Sequence, residues 1–186
     1  MLLVSPSDIS VEIGSDASRL RLILQDHPLA RGKVIVDVRI DRVRRYASRR
    51  LNPLLMSACY LLDMRDVCSG VASTHLLYGK VHRDRQSAQA VRTPTTYFAA
   101  DCNLVLWSWP EDPGMPQLPN LLDTPCTRAL CGVPAETATV VRYLPEQRAT
   151  LRYALVDENG SSEAFVYAKS FADDKAHALD ARFRYF

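Results

Sequence analysis

The stretch from Thr139 to Lys169 constrains the fold most, because three runs rich in β-branched and aromatic residues are cut apart by turn chemistry. The first run is Thr139-Ala-Thr-Val-Val-Arg-Tyr-Leu144, the second is Arg148-Ala-Thr-Leu-Arg-Tyr153, and the third is Glu163-Ala-Phe-Val-Tyr-Ala-Lys169. Pro145 stands at the first junction, and Asp157-Glu-Asn-Gly160 fills the second. An Asn-Gly pair between alternating apolar residues favours a hairpin, since both residues tolerate positive φ. The pattern predicts a three-stranded antiparallel meander whose last strand ends on a lysine flanked by apolar residues.

Upstream, Asp16 is placed to cap a helix over residues 17–26, with Leu20, Ile23 and Leu24 on one face. His27-Pro28 ends it, because the residue before proline avoids the α region. From Lys33 to Val43 the chain alternates: Val34, Val36, Val38 and Ile40 are expected to face one way, and Asp37, Arg39 and Asp41 the other. Pro53 to Leu62 and His75 to His82 read as two more strands, around a loop at Cys68-Ser-Gly70. Thr96 to Trp109 is expected to hold a fourth. Pro110 to Pro119 carries four prolines and one glycine, which no helix or central strand accommodates, so it reads as a surface connector. A helix is expected from Asn120 to Leu130, and the start of another after Asp173, with acidic residues in its first turn.

The 186 residues suffice for one medium domain or two small ones. A hydrophobic content of 47% and a charged content of 24% are those of an ordinary globular chain. The formal charge of +2 implies no strong overall field, so neither nucleic acid nor a membrane is an expected partner. Arginine is nevertheless concentrated at Arg39, Arg42, Arg44, Arg45, Arg49 and Arg50. No run of 18 apolar residues occurs, and Met1 to Asp8 lacks the basic and apolar regions of a secretory signal. The five cysteines, Cys59, Cys68, Cys102, Cys126 and Cys131, are irregularly spaced and expected to be reduced thiols. A cytoplasmic location is the expectation that follows.

The two halves share a weak repeat. Leu77-Tyr-Gly-Lys80 parallels Val166-Tyr-Ala-Lys169, Val43-Arg-Arg-Tyr46 parallels Val140-Val-Arg-Tyr143, and Ala58 to Asp63 parallels Leu151 to Asp157 with small gaps. The common element is a strand ending Tyr-small-Lys, then a polar turn. A repeated element of this kind points to a duplicated supersecondary unit.

The pattern Arg142-Tyr143-x-Pro145-x-x-Arg148-x-x-Leu151-Arg-Tyr153, followed by Val166-Tyr-Ala-Lys169 and Asp173-Asp174, resembles the N-lobe of bacterial aminoglycoside phosphotransferase-like, small-molecule kinase-like proteins. The segment Leu106-Trp-Ser-Trp-Pro-Glu-Asp-Pro113, with Leu118 and Leu121-Leu-Asp123, is similar to the region preceding that lobe. The resemblance implies that Lys169 is the strand lysine contacting nucleotide phosphates, with Arg148 beside it and Lys80 as its counterpart in the first, non-catalytic repeat. A point charge on a rigid strand suits that role, since it meets phosphate oxygens without reorganising. It also implies ATP or GTP with magnesium, bound only together with a C-lobe or downstream chain, and a small-molecule substrate. The chain departs from the family where the chemistry lies. It has no His-x-Asp-x-x-x-x-Asn stretch, no glycine in the Pro145 to Arg148 turn, and no glutamate after Glu163 to pair the lysine. By itself it is expected to catalyse nothing, so no catalytic or metal-ligating residue is assigned.

Other constellations carry less. Cys126 and Cys131 lack a second ligand pair for zinc. His82-Arg-Asp84 has no asparagine five residues on. Trp107, Trp109, Tyr97 and Phe98 read as core rather than a stacking platform. The expected architecture is α+β: two related antiparallel β-meander units with flanking helices, like a kinase N-lobe, joined by the proline-rich connector. The first unit spans 1–109 with its N-terminal helix, the connector and helix 110–136, and the second unit with the start of a helix 137–186. The expected role is the N-terminal portion of a kinase-like phosphotransferase that positions nucleotide or substrate. The alternative is a non-enzymatic interaction module using strand edges and the Arg42 to Arg50 face.

Overall fold

Alternating apolar and polar residues produce strands throughout this chain, and in the computed structural model every strand pair is antiparallel. The structure describes residues 6–46, 53–123, 135–155 and 164–173. It is a mixed α+β fold with meander-type sheets, and the chain divides into two units, 1–109 and 110–186.

In the first unit β1 (Lys33–Arg45), β2 (Leu54–Asp66) and β3 (Ala72–His82) form a meander. It is extended by β4 (Tyr97–Ala99) and β5 (Leu104–Ser108), in the order β1-β2-β3-β5-β4. Two helices, α1 (Pro6–Gly14) and α2 (Ala17–Leu24), supply the apolar partners of one sheet face. Asp16 caps α2 as the sequence requires, its carboxylate accepting from Ser18 N at 2.8 Å and Arg19 N at 3.2 Å. The cap starts the helix, and the four-residue spacing of Leu20 and Leu24 puts them on one face, where both are completely buried with Met56, Tyr60 and Leu62 of β2. Burial of each such leucine is worth about 2 kcal/mol. Tyr60 closes the arrangement by donating its hydroxyl to Gly14 O at 3.0 Å, at the end of α1. A third helix, α3 (Arg85–Ala90), follows β3 and is capped by Asp84, which accepts from Ser87 N at 2.7 Å.

Two expectations are corrected here. Val34 and Val36 are exposed, while Ile35 and Val38 enter the core. The reason is a register shift against β2 between Ile35 and Asp37, and a second between Ile40 and Arg42. An inserted residue reverses the alternation, so Ile35 and Val38 share a face although they are three apart. The run from Thr96 to Trp109 is a hairpin, not one strand: a 3-10 turn over Ala100–Cys102 and Asn103 at φ 49° fold β5 back on β4.

The second unit consists of β6 (Ala135–Leu144), β7 (Arg148–Leu155) and β8 (Ala164–Phe171), preceded by the proline-rich segment and α4 (Leu118–Leu122). The three strands are those expected. The Asn159-Gly160 turn, the helix after Asp173 and the expected helix beyond Asp123 lie outside the described residues. No helix among the described residues is long and apolar enough to cross a membrane.

The two meanders share a backbone signature. β6 shifts register against β7 between Ala135 and Thr137 and again between Val140 and Arg142. This is the same five-residue spacing as in β1 (35 to 40, 135 to 140). Aligning the bulges matches Tyr60 with Leu151, and through the next strand Tyr78 with Lys169 and Lys80 with Phe171. The pairing of Lys80 with Lys169 by sequence is therefore two positions out of register, on the same face.

Gly79 lies where β3 crosses Tyr60 and β5. A Cβ there would stand 2.7 Å from Tyr60 Cε2 and 2.8 Å from Leu106 Cδ2, both side chains completely buried. Gly79→Ala is expected to destabilise the first unit by about 1–3 kcal/mol, read from the urea midpoint. A second expectation concerns His82, which is 3% exposed with neither ring nitrogen hydrogen-bonded among the described residues. Burial, with a smaller contribution from Lys80, lowers its pKa from 6.5 to about 4. The unfolded chain binds that proton below about pH 6.5 and the folded chain resists it to about pH 4. Stability should therefore fall with decreasing pH across this window by on the order of 1 kcal/mol per pH unit from this group. His82→Leu should flatten that slope in urea titrations run at several pH values, and an unchanged slope would refute the assignment.

Candidate ligand-binding face

Directly opposed residues in adjacent strands point to the same side, so the registers of β6, β7 and β8 define two faces. One carries Ala138, Val140 and Tyr143 of β6, Ala149, Leu151 and Tyr153 of β7, and Val166, Ala168 and Ser170 of β8. Ala149, Leu151 and Tyr153 are buried, as are Met115 and Leu118 of the preceding segment. The segment runs through successive turns, Met115 N donating to Asp112 O and Leu118 N to Met115 O, into α4, where Pro119 is accommodated in the first turn, and side chains tie it down. Tyr153 donates its hydroxyl to Leu121 O at 2.8 Å, and Gln117 donates to Ser170 Oγ at 2.8 Å and Phe171 O at 3.2 Å.

Asp112 is the main tie. It is 2% exposed, and its carboxylate accepts from Gly114 N at 2.7 Å, Tyr143 Oη at 2.7 Å and Glu146 N at 2.8 Å. Glu146 sits at φ 56° in the turn between β6 and β7, and its Cα would lie 2.9 Å from a Cβ on Gly114. Only glycine permits that approach, which fixes the turn from which Arg148 emerges.

The other face is open. Its rows across β6, β7 and β8 read Thr139, Arg152, Tyr167; then Arg142, Thr150, Lys169; then Leu144, Arg148, Phe171. Phe165 lies one step beyond Tyr167 on the same side of β8. Thr150 thus has a cation on each of its four sides: Arg142 and Lys169 across the ladder, and Arg148 and Arg152 along its own strand. Neighbouring strands are about 4.8 Å apart and alternate residues about 6.8 Å apart, so these four groups can converge on one anion. Arg142, Arg148 and Lys169 are exposed, and Tyr167 and Phe165 are 60% and 50% exposed. The Arg152 guanidinium stacks over the Phe165 ring at 4.8 Å, holding both side chains in place. No carboxylate belongs to these rows; among the described residues Glu146 stands in the turn, Asp173 past the end of β8, and Glu136 in the bulge at the start of β6.

Lys169 and Arg148 are thereby brought together as diagonal neighbours, with Lys169 on an open face rather than in a cleft. Lys80 belongs to the first unit, where it stands over the Trp107 ring at 5.8 Å on a half-buried strand position. Arg142, Arg152 and Tyr167 were visible in the sequence as part of a motif but not as ligand contacts, and Phe165 as a strand residue alone. The period-two pattern Arg148-x-Thr150-x-Arg152 was the available signal.

No protein-family model, curated protein or solved structure matches this chain.

Replacing Asp112 by alanine leaves two backbone donors and one hydroxyl without an acceptor. The expected loss is about 3 kcal/mol in the second unit. Hydrogen exchange should quicken in β6 to β8 while β1 to β3 keep their protection. Asp112→Asn, which retains one oxygen, should fall between the two.

Proposed function

We propose that this protein is a binding module that does no chemistry alone and holds the phosphate groups of a ligand on the open face of its second sheet. The observation that carries this reading is Thr150 surrounded by Arg142, Arg148, Arg152 and Lys169, with no carboxylate in the three rows that hold them. Guanidinium groups offer paired donors to phosphate oxygens, and an ammonium adds a compact charge. The similarity of the Arg142 to Lys169 pattern to small-molecule kinase N-lobes supports the same assignment for Lys169 and Arg148. As the N-terminal portion of such a phosphotransferase, the module would position ATP or GTP with magnesium, and a C-lobe would bring the proton acceptor and metal ligands.

A second reading, a protein-interaction module, is favoured by β1. It is an edge strand of 13 residues with Val34, Val36 and Val43 exposed beside Arg42, Arg44 and Arg45. Unpaired strand edges of this kind accept a further strand, although bulges and arginines blunt them.

Calorimetry distinguishes the two. Inorganic polyphosphate, and ATP or GTP with magnesium, should bind the intact chain, and Lys169→Glu with Arg148→Glu should weaken binding at least about tenfold, since each charge-assisted contact contributes about 1.5–3 kcal/mol. Phosphate binding indifferent to that double reversal, or none at all, would leave the β1 edge as the better reading.

A further inference from the structure

The open face holds more than charge. Phe165, Tyr167 and Phe171 alternate with Lys169 down the same side of β8, while the arginines occupy β6 and β7. The aromatic rings thus lie along β8 with Lys169 among them, and the three guanidinium groups lie on β6 and β7. Phe165 and Tyr167 are at least half exposed, and Phe165 is already held from one side by Arg152.

Resting on the reading of this face as a phosphate-holding surface, we infer that its ligand is single-stranded nucleic acid, with bases stacked on Phe165 and Tyr167 and the backbone running along Arg142, Arg148 and Arg152. The two rings are about 6.8 Å apart along the strand, so each takes a separate base. Unpaired bases have the free π-faces that such platforms use, and a positively charged track follows their backbone. A duplex keeps its bases stacked inside and offers these rings nothing. A lone phosphate uses only the cations, and a fully apolar peptide would leave four charges unmatched. The formal charge of +2 averages over the whole chain and conceals this separation, because the rows around Thr150 hold four cations and no acid.

The test is fluorescence anisotropy of the intact protein with labelled oligouridylate and oligothymidylate of about twelve nucleotides, a length within reach of one such site. A duplex of equal length and inorganic polyphosphate serve as competitors. Both single strands should bind with a log–log salt slope of about −2 to −3, as expected for up to four neutralised phosphates. The RNA and DNA arms identify the preferred sugar. Phe165→Ala with Tyr167→Ala should weaken oligonucleotide binding about tenfold or more, while Tyr167→Ala alone, which keeps the Phe165–Arg152 contact, should weaken oligonucleotide binding and leave polyphosphate affinity unchanged. Tyr167→Phe should retain binding. Both positions are exposed, so thermal unfolding followed by circular dichroism should match the unsubstituted protein. Oligonucleotide binding that survives loss of both rings, or that the duplex matches, overturns the inference while the phosphate-holding reading stands. If Lys169→Glu with Arg148→Glu alters neither oligonucleotide nor polyphosphate binding, both fall.

Discussion

The second unit depends on one buried carboxylate. Asp112 lies beyond the reach of solvent and is sustained by three donors, two backbone amides and the Tyr143 hydroxyl. A carboxylate placed there without partners would be strongly unfavourable, so the contacts are obligatory rather than decorative. They secure the proline-rich segment and the β6–β7 turn to each other. The segment then buries Met115 and Leu118 with the apolar side of the sheet. A three-stranded sheet needs cover on one face to be stable, and here the cover is a proline-bearing run of turns that ends in the short helix α4. Because only one face needs covering, the other is left for cations and exposed aromatics.

Which residues reach that open face is decided by register. Side chains in a strand alternate with period two, and a slip of one residue would turn Arg142, Arg148, Arg152 and Lys169 inward. The bulges at the start and middle of β6 are part of this control, and their reappearance with the same spacing in β1 ties the two meanders together more firmly than the short Tyr-small-Lys similarity does. Backbone irregularities also change what a repeat means. The match of Lys169 to Tyr78, and of Lys80 to Phe171, gives the two units the same scaffold with different chemistry on it. The first unit presents Lys80 against Trp107 on a half-buried strand, and the second presents Lys169 on an open face.

Much of the architecture was legible because it is written in local signals. Asp16 before an apolar period of three and four gave α2, and Pro145 and the runs around it gave β6, β7 and β8. The bulge at Val36 was not legible, since nothing in Lys33 to Val43 records how β2 will pair with it. Nor was the β4–β5 hairpin, which turns on Asn103 accepting a left-handed backbone that the sequence permits without requiring. The site was half legible. A motif supplied Lys169 and Arg148, whereas their grouping with Arg142 and Arg152 around Thr150 is a property of three strands in register. Single-chain patterns contain the alternation within a strand but not the rows across strands.

Charge shows the same difference between a sum and an arrangement. A chain with 23 basic and 21 acidic residues has almost no net field, and on that measure its surface is unremarkable to an anion. Screening over about 8 Å in physiological salt makes the sum irrelevant at a particular face, where only nearby groups are felt. On the open side of the second sheet the nearby groups are three guanidiniums and an ammonium around one threonine, with no acid in the rows they occupy. Such a cluster repels itself and weakens the fold that displays it. Its members are kept apart by strand spacing, with no ion pair to them among the described residues, and Arg152 stacks on the Phe165 ring, which leaves its charge available. A surface built for stability alone would intersperse acids among those arginines. The arrangement is favourable once an anion supplies the missing charge, and the rings on β8 fit an anion that carries flat, unpaired bases.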